Sequence, residues 1–172
     1  MFYDVNQDGK VDWDDFLCSL EKVSKLNGWK AEDERKSAAL ESLKMIWESL
    51  KQKADTNSDG VVSHEEWLQL WADCTDAILT KREFPYWLSA YMSFMFDAAD
   101  TSGDNVIDKD EYSKAYVEFG LTPEQCDQAY NTFTEGGKSI MNRELFSKLW
   151  HEFFISDDKN SKGNCLFGKC DW

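Results

Sequence analysis

Apolar residues recur along this chain at three- and four-residue intervals, the period of amphipathic helices, and the stripes are separated by short polar segments. Phe16, Leu20 and Val23 share one face, and Leu40, Leu43, Trp47 and Leu50 another. Further stripes are Trp67, Leu70 and Trp71; Trp87, Tyr91, Met92 and Met95; Tyr112, Tyr116 and Phe119; and Leu145, Leu149, Trp150 and Phe153. Alternating strand pattern is confined to short Val-Asp, Val-Ser and Ile-Asp pieces inside the polar segments. The pattern therefore predicts helix, loop, helix, repeated. Breaks fall near Asn27 and Gly28, at Lys81 to Pro85, and at Gly120 to Pro123, where Thr122, Pro123 and Glu124 form a helix-start signal.

Three of the polar segments answer to one template: DVNQDGKVDWDD from Asp4, DTNSDGVVSHEE from Asp55 and DTSGDNVIDKDE from Asp100. Each starts with Asp, carries Asn or Ser third and Asp fifth, has an aliphatic eighth and ends in a carboxylate twelfth. That is the oxygen spacing of a twelve-residue EF-hand loop, which presents Ca²⁺ with ligands from positions 1, 3, 5, 7 through its carbonyl, 9 and 12. The second loop supplies Asp55, Asn57, Asp59, the Val61 carbonyl, Ser63 and Glu66, with Gly60 at the sharp turn. The third supplies Asp100, Ser102, Asp104, the Val106 carbonyl, Asp108 and Glu111. Its sixth residue is Asn105, which tolerates a left-handed backbone better than other residues with side chains.

The first loop supplies Asp4, Asn6, Asp8, the Lys10 carbonyl, Asp12 and Asp15, with Gly9 at the turn. Asp15 is one methylene shorter than the usual Glu, so the loop must contract or the carboxylate must bind through one oxygen. Six-coordination, which Mg²⁺ demands, becomes relatively easier, and this site is expected to be the least Ca²⁺-selective of the three. Met1 also lies three residues before the loop, leaving no room for an incoming helix, which is expected to weaken the site. Because such loops pair through the eighth residue, three imply a fourth. FTEGGKSIMNRE, with Ile140 eighth and Glu144 twelfth, fills that role but starts at Phe133 and has Gly137 fifth, so it is expected to bind nothing.

The fold class expected is all-α: a compact EF-hand protein of two paired lobes, with tiny two-stranded pairings between loops. The lobes are drawn as residues 1–81 and 82–155. The tail 156–172 lacks periodicity, but its Leu166, Phe167 and Trp172 suit it to dock on the body.

Charge sharpens this picture. A formal net charge of -14 and a pI near 4.5 argue against nucleic acid and against constitutive attraction to anionic lipid, and the acids cluster beside Gly and Asn as metal ligands do. Three bound Ca²⁺ ions add six charges and bring -14 to -8, so any encounter with an anionic membrane is expected to be peripheral and Ca²⁺-dependent. Five widely spaced cysteines point to a reducing cytosol rather than a disulfide framework, and Cys165 and Cys170 are expected to be unmodified. His64 and His151 have no acid-base partner at motif spacing, and no catalytic set is found. Thr80 before Lys81 and Arg82 matches a phosphorylation pattern of low specificity.

Between loop centres Val11, Val62, Ile107 and Ile140 lie 51, 45 and 33 residues. This uneven spacing with a dead fourth loop resembles the sarcoplasmic calcium-binding proteins. FYDVNQDGKVDWDDF, YMSFMFDAADTSGDNVIDKDEYS, the GGKS turn and SKGNCLFG narrow the resemblance to their calexcitin branch, over essentially the whole chain. The resemblance implies a compact, monomeric cytosolic protein of neuronal Ca²⁺ signalling that acts on potassium channels and intracellular Ca²⁺ release and moves toward membranes as Ca²⁺ rises. It also implies GTP binding. Gly137, Lys138 and Ser139 imitate the end of a phosphate loop, but Thr132 stands where that motif needs its first Gly. A signalling protein of moderate conformational response is the favoured reading, with a Ca²⁺/Mg²⁺ buffer and a weak GTPase as alternatives. Five Met against twenty-five aromatic residues favour a rigid core over a Met-rich groove.

Overall fold

The computed structural model describes residues 3–81 and 84–168. Among the described residues are seven α-helices: α1 (Trp13–Asn27), α2 (Glu34–Ala54), α3 (His64–Asp76), α4 (Tyr86–Ala99), α5 (Lys109–Glu118), α6 (Pro123–Thr134) and α7 (Arg143–Ile155). A π-helical turn, Ala77–Lys81, extends α3, and a 3₁₀ turn, Lys162–Cys165, lies in the tail. Helix starts are local events. Asp12 caps α1 in a reciprocal box with Asp15, Asp108 caps α5 in one with Glu111, and Thr122 caps α6 in one with Gln125. Gly28, left-handed at φ 66°, ends α1.

Chain contacts divide the molecule into two compact units, Met1–Phe94 and Met95–Trp172. The break expected at Lys81 to Pro85 thus lies within the first unit. There the first turns of α4 bring Trp87 and Tyr91 against Tyr3, at ring-centroid distances of 5.8 and 4.4 Å.

In the first unit the loops before α1 and α3 pair through Val11 and Val62, whose amides and carbonyls exchange hydrogen bonds of 2.9 and 2.8 Å. Both side chains are fully buried, which is why the eighth position must be apolar. Phe16, Leu20 and Val23 of α1 pack the same core as Leu43, Trp47 and Leu50 of α2.

The second unit pairs its loops differently. The Ile107 amide donates to the Met141 carbonyl at 2.9 Å, and the Ile107 carbonyl accepts from the Tyr130 hydroxyl at 3.0 Å. Met141 is fully buried while Ile140 is 65% exposed, so the register placing Ile140 eighth and Glu144 twelfth is corrected by one residue. The α7 cap fixes it: the Leu145 amide donates to Asn142, as the Glu111 amide donates to Asp108, which puts Leu145 at the twelfth place. The loop is shortened at its start by Glu135, Gly136 and Gly137, all at positive φ.

The tail docks on this second unit. Leu166 is fully buried, and the ring of Phe167 lies 4.8 Å from that of Phe153 and 5.6 Å from that of Trp150. Trp172 lies outside the described residues. Cys165 is disulfide-bonded, which corrects the expectation of an unmodified thiol there, while Cys18, Cys74 and Cys126 are free. No described helix is long and apolar enough to cross a membrane.

Candidate metal sites

The three loops repeat one hydrogen-bond pattern. At the first position the carboxylate accepts two or more loop amides. Asp4 takes those of Asp8 and Gly9 at 3.0 Å each, Asp55 those of Asp59 and Gly60 at 3.2 and 3.0 Å, and Asp100 those of Gly103 and Asn105 at 2.8 and 2.9 Å. At the fifth, Asp8, Asp59 and Asp104 each accept the amide two residues on, at 3.2, 2.9 and 2.9 Å. At the third, Asn6 and Asn57 accept the Asp8 and Asp59 amides at 2.9 Å, while the Ser102 hydroxyl donates to Asp100 at 3.3 Å. Asp12, Ser63 and Asp108, ninth in their loops, accept amides from the first helical turn. Lys10, Val61 and Val106 stand seventh, just before the pairing residues, with only their carbonyls to offer.

The twelfth residue closes each loop. Glu66 accepts the Thr56 amide with one oxygen and the Ser63 amide with the other, at 2.9 and 3.0 Å. Glu111 spans Ser102 and Asp108 in the same way, at 2.8 and 3.0 Å. Asp15 takes Val5 and Asn6 on one oxygen and Asp12 on the other, at 2.9, 3.2 and 3.0 Å. The shorter arm therefore reaches amides at both ends of its loop, as Glu66 and Glu111 do.

This closure depends on an unusual backbone. The sixth residues, Gly9, Gly60 and Asn105, are left-handed at φ 89°, 85° and 65°, as expected of all three. The fourth residues, Gln7, Ser58 and Gly103, are also left-handed, at 62°, 61° and 75°. For Gln7 and Ser58 this costs about 1 kcal/mol or more each, and no residue type announces it in the sequence.

Two hydroxyls escaped the sequence reading. Thr56 and Thr101, second in their loops, donate to Glu66 and Glu111 at 2.8 and 3.0 Å. The signal was present, since both loops open with Asp-Thr; the first has Val5 instead. Electrostatics separate the first loop further. The Ser63 amide, with the Thr56 and Ser63 hydroxyls, outweighs desolvation and holds Glu66 down to about 2. Burial pushes Glu111 up, yet hydrogen bonds from Asp108, Ser102 and Thr101 bring it below the usual range. At Asp15 burial wins over the amides and the carboxyl is raised. The Lys10 ammonium also stands 2.9 Å from Asp12 and 3.7 Å from Asp8, a resident cation among the first loop's candidate ligands.

All three donor sets are hard oxygen on exposed loops, the chemistry Ca²⁺ and Mg²⁺ require. Among the described residues no three His, Cys, Asp or Glu side chains converge as a ready cluster. The carboxylates are turned onto loop amides instead, and Asn, Ser and carbonyl oxygens complete each set.

The fourth loop has another structure. Its Gly136 amide donates to Asn131, and those of Gly137 and Ser139 donate to Thr134. These amides are taken up by the last turn of α6, so the GGKS turn offers no cradle of free N–H groups to a phosphate. Glu135 pairs instead with the Lys162 ammonium at 2.5 Å.

The family model described as EF hand matches residues 1–17, 52–71 and 93–115, around the three repeated loops. The chain is 35% identical to Calexcitin-1 of Caenorhabditis elegans, over all of this chain and 83% of that protein. It is 30% identical to sarcoplasmic calcium-binding proteins I, III and IV of Branchiostoma lanceolatum, over 98% of this chain and 90% of theirs. A solved sarcoplasmic calcium-binding protein from amphioxus superposes with a TM-score of 0.82 at 29% identity, covering 98% of this chain and 90% of that one.

Proposed function

The chain belongs to the calexcitin and sarcoplasmic calcium-binding protein family of the EF-hand superfamily, and from that premise we propose that its three repeated loops each hold one ion in a Ca²⁺ signalling protein. Ca²⁺ binding itself follows from the family. The assignment of ions to loops rests on one observation: 4–15, 55–66 and 100–111 share a hydrogen-bond pattern that the fourth loop lacks. Each ion supplies charge to a set of oxygens, and the twelfth carboxylate joins the two ends of the loop around it. Asp15, Val5 and Lys10 make the first loop the weakest for Ca²⁺ and the one most open to Mg²⁺.

Calorimetric titration tests the assignment. Three ions are expected without Mg²⁺, with Glu66→Gln, Glu111→Gln and Asp15→Asn each removing one; a stoichiometry of two, unchanged by Asp15→Asn, withdraws the first loop. An ion at about a hundred times its dissociation constant stabilises its unit by about 2.7 kcal/mol, so a chelator should lower the unfolding temperature markedly.

Signalling requires a Ca²⁺-dependent change that a target can read. Changes in Trp emission and apolar-dye binding on adding Ca²⁺ support it, as does sedimentation with anionic vesicles in Ca²⁺ but not in chelator. Tight binding with none of these supports a Ca²⁺/Mg²⁺ buffer, the second reading, which the tail covering the apolar surface of the second unit favours. The hydrogen-bonded amides of the GGKS turn weigh against the GTPase reading.

A further inference from the structure

Glu111 and Tyr112 are neighbours in the first turn of α5 with different tasks. Glu111 joins the two ends of the third loop through Ser102 and Asp108. Tyr112, fully buried, sends its hydroxyl to the Leu166 carbonyl at 2.8 Å, 54 residues further on. Side-chain hydrogen bonds of such reach in a buried setting are sensitive to position, because water cannot replace a lost partner.

The far end of that bond is held in one register. Glu152 of α7 accepts the Ser161 hydroxyl at 2.9 Å and the Gly163 amide at 3.1 Å. A Cβ on Gly163 would stand 2.4 Å from the Glu152 Cβ and 2.6 Å from the Leu149 carbonyl oxygen, so the tail seats here only with glycine. Phe167 then locks against Phe153 and Trp150. Residues 161–167 are thus a rigid abutment for the helix turn that carries the third loop's last carboxylate.

We infer that this docked tail segment is a positioning element of the third metal site, acting through Tyr112 on the place of Glu111. The inference rests on the reading that loop 100–111 holds Ca²⁺. Linkage makes the effect reciprocal: metal in that loop tightens tail docking by the factor by which the docked tail tightens metal. The second loop provides an internal reference, because Glu66 is followed by Trp67, whose ring packs on Tyr3 and Trp71 in the first unit.

The test uses the full chain with Tyr112→Phe, which removes only the hydroxyl, and Gly163→Ala, which leaves the loop and α5 untouched but unseats the tail. The Gly60 and Asn105 amides, donating to Asp55 and Asp100, report the second and third loops separately in Ca²⁺ titrations followed by NMR. Tyr112→Phe should lower third-loop affinity about fivefold, the weight of one hydrogen bond, and Gly163→Ala by more, with the second loop unchanged. In the unsubstituted protein Ca²⁺ should also slow hydrogen exchange at the Leu166 and Gly168 amides, which close the tail turn onto Gly163 and Cys165. Unchanged third-loop affinity in both variants, or an equal fall at Gly60, overturns the inference alone. An Asn105 amide silent to Ca²⁺ in the unsubstituted protein overturns it together with the reading on which it rests.

Discussion

Replacing Tyr3 by alanine should unfold the first unit before it disturbs the second. Tyr3 is 2% exposed, and its ring centroid lies 4.4 Å from Tyr91, 5.4 Å from Trp67, 5.8 Å from Trp87 and 6.2 Å from Phe16. An aromatic side chain buried to this degree removes about 150 Å² or more from water, worth roughly 4 kcal/mol at about 25 cal/mol per Å². Aromatic-to-alanine changes in cores cost about 3–5 kcal/mol, in agreement. Tyr3→Phe keeps the ring and should stay within about 1 kcal/mol of the unsubstituted protein. Urea unfolding followed by Trp emission reads chiefly the first unit, since six of the eight Trp precede residue 95, and Trp150 and Trp172 follow it. The midpoint should fall by about 2 M for Tyr3→Ala. Tyr3 adjoins Asp4, whose carboxylate organises the first loop, so first-loop affinity should fall with it while the third loop holds. A midpoint shift under about 0.5 M, or equal losses in the first and third loops, would refute the reasoning.

Asn105→Ala places an ordinary side chain at φ 65° and should cost about 1 kcal/mol, seen as a roughly fivefold weaker third loop in calorimetry, whereas Asn105→Gly should be near neutral. Lys10→Val, matching the seventh residue of the other two loops, removes the ammonium beside Asp8 and Asp12; first-loop Ca²⁺ affinity should rise, more so at low salt, in titrations at two ionic strengths. Burial holds His151 below its ordinary value, so folding disfavours its proton. Stability from this group is full above about pH 6.5 and is lost as pH falls through the lowered folded value, and His151→Gln should flatten that part of a chelator-matched pH–stability curve.

The hydrogen-bonded frame of the three candidate loops was legible because an EF-hand loop is a local device. Asp55, Asn57, Asp59, Ser63 and Glu66 bond within ten residues of one another, so their spacing alone carries the geometry. The same holds for the left-handed sixth residues, Asn105 included, and for the cap Thr122. Helical stripes were legible for the reason that period and burial coincide: Leu43, Trp47 and Leu50 are buried as their spacing demands.

Other features had no local signature. The register of the fourth hand is set by the partner it pairs with, Ile107, and by a loop shortened at two glycines, so that Met141 and not Ile140 turns inward. The Lys10 ammonium between two candidate ligands is a matter of side-chain direction, which spacing does not encode. The tail's apolar residues showed that it would dock, but not where. Contacts between residues as far apart as Tyr112 and Leu166 exist only once the intervening helices have folded. Sequence alone thus determined that this chain carries three oxygen-lined loops on a helical frame. Asp15 already marked the first loop as the odd one, whereas tertiary structure decided which way each twelfth carboxylate titrates and tied α5 to the tail, because burial and contacts 54 residues apart arise only on folding.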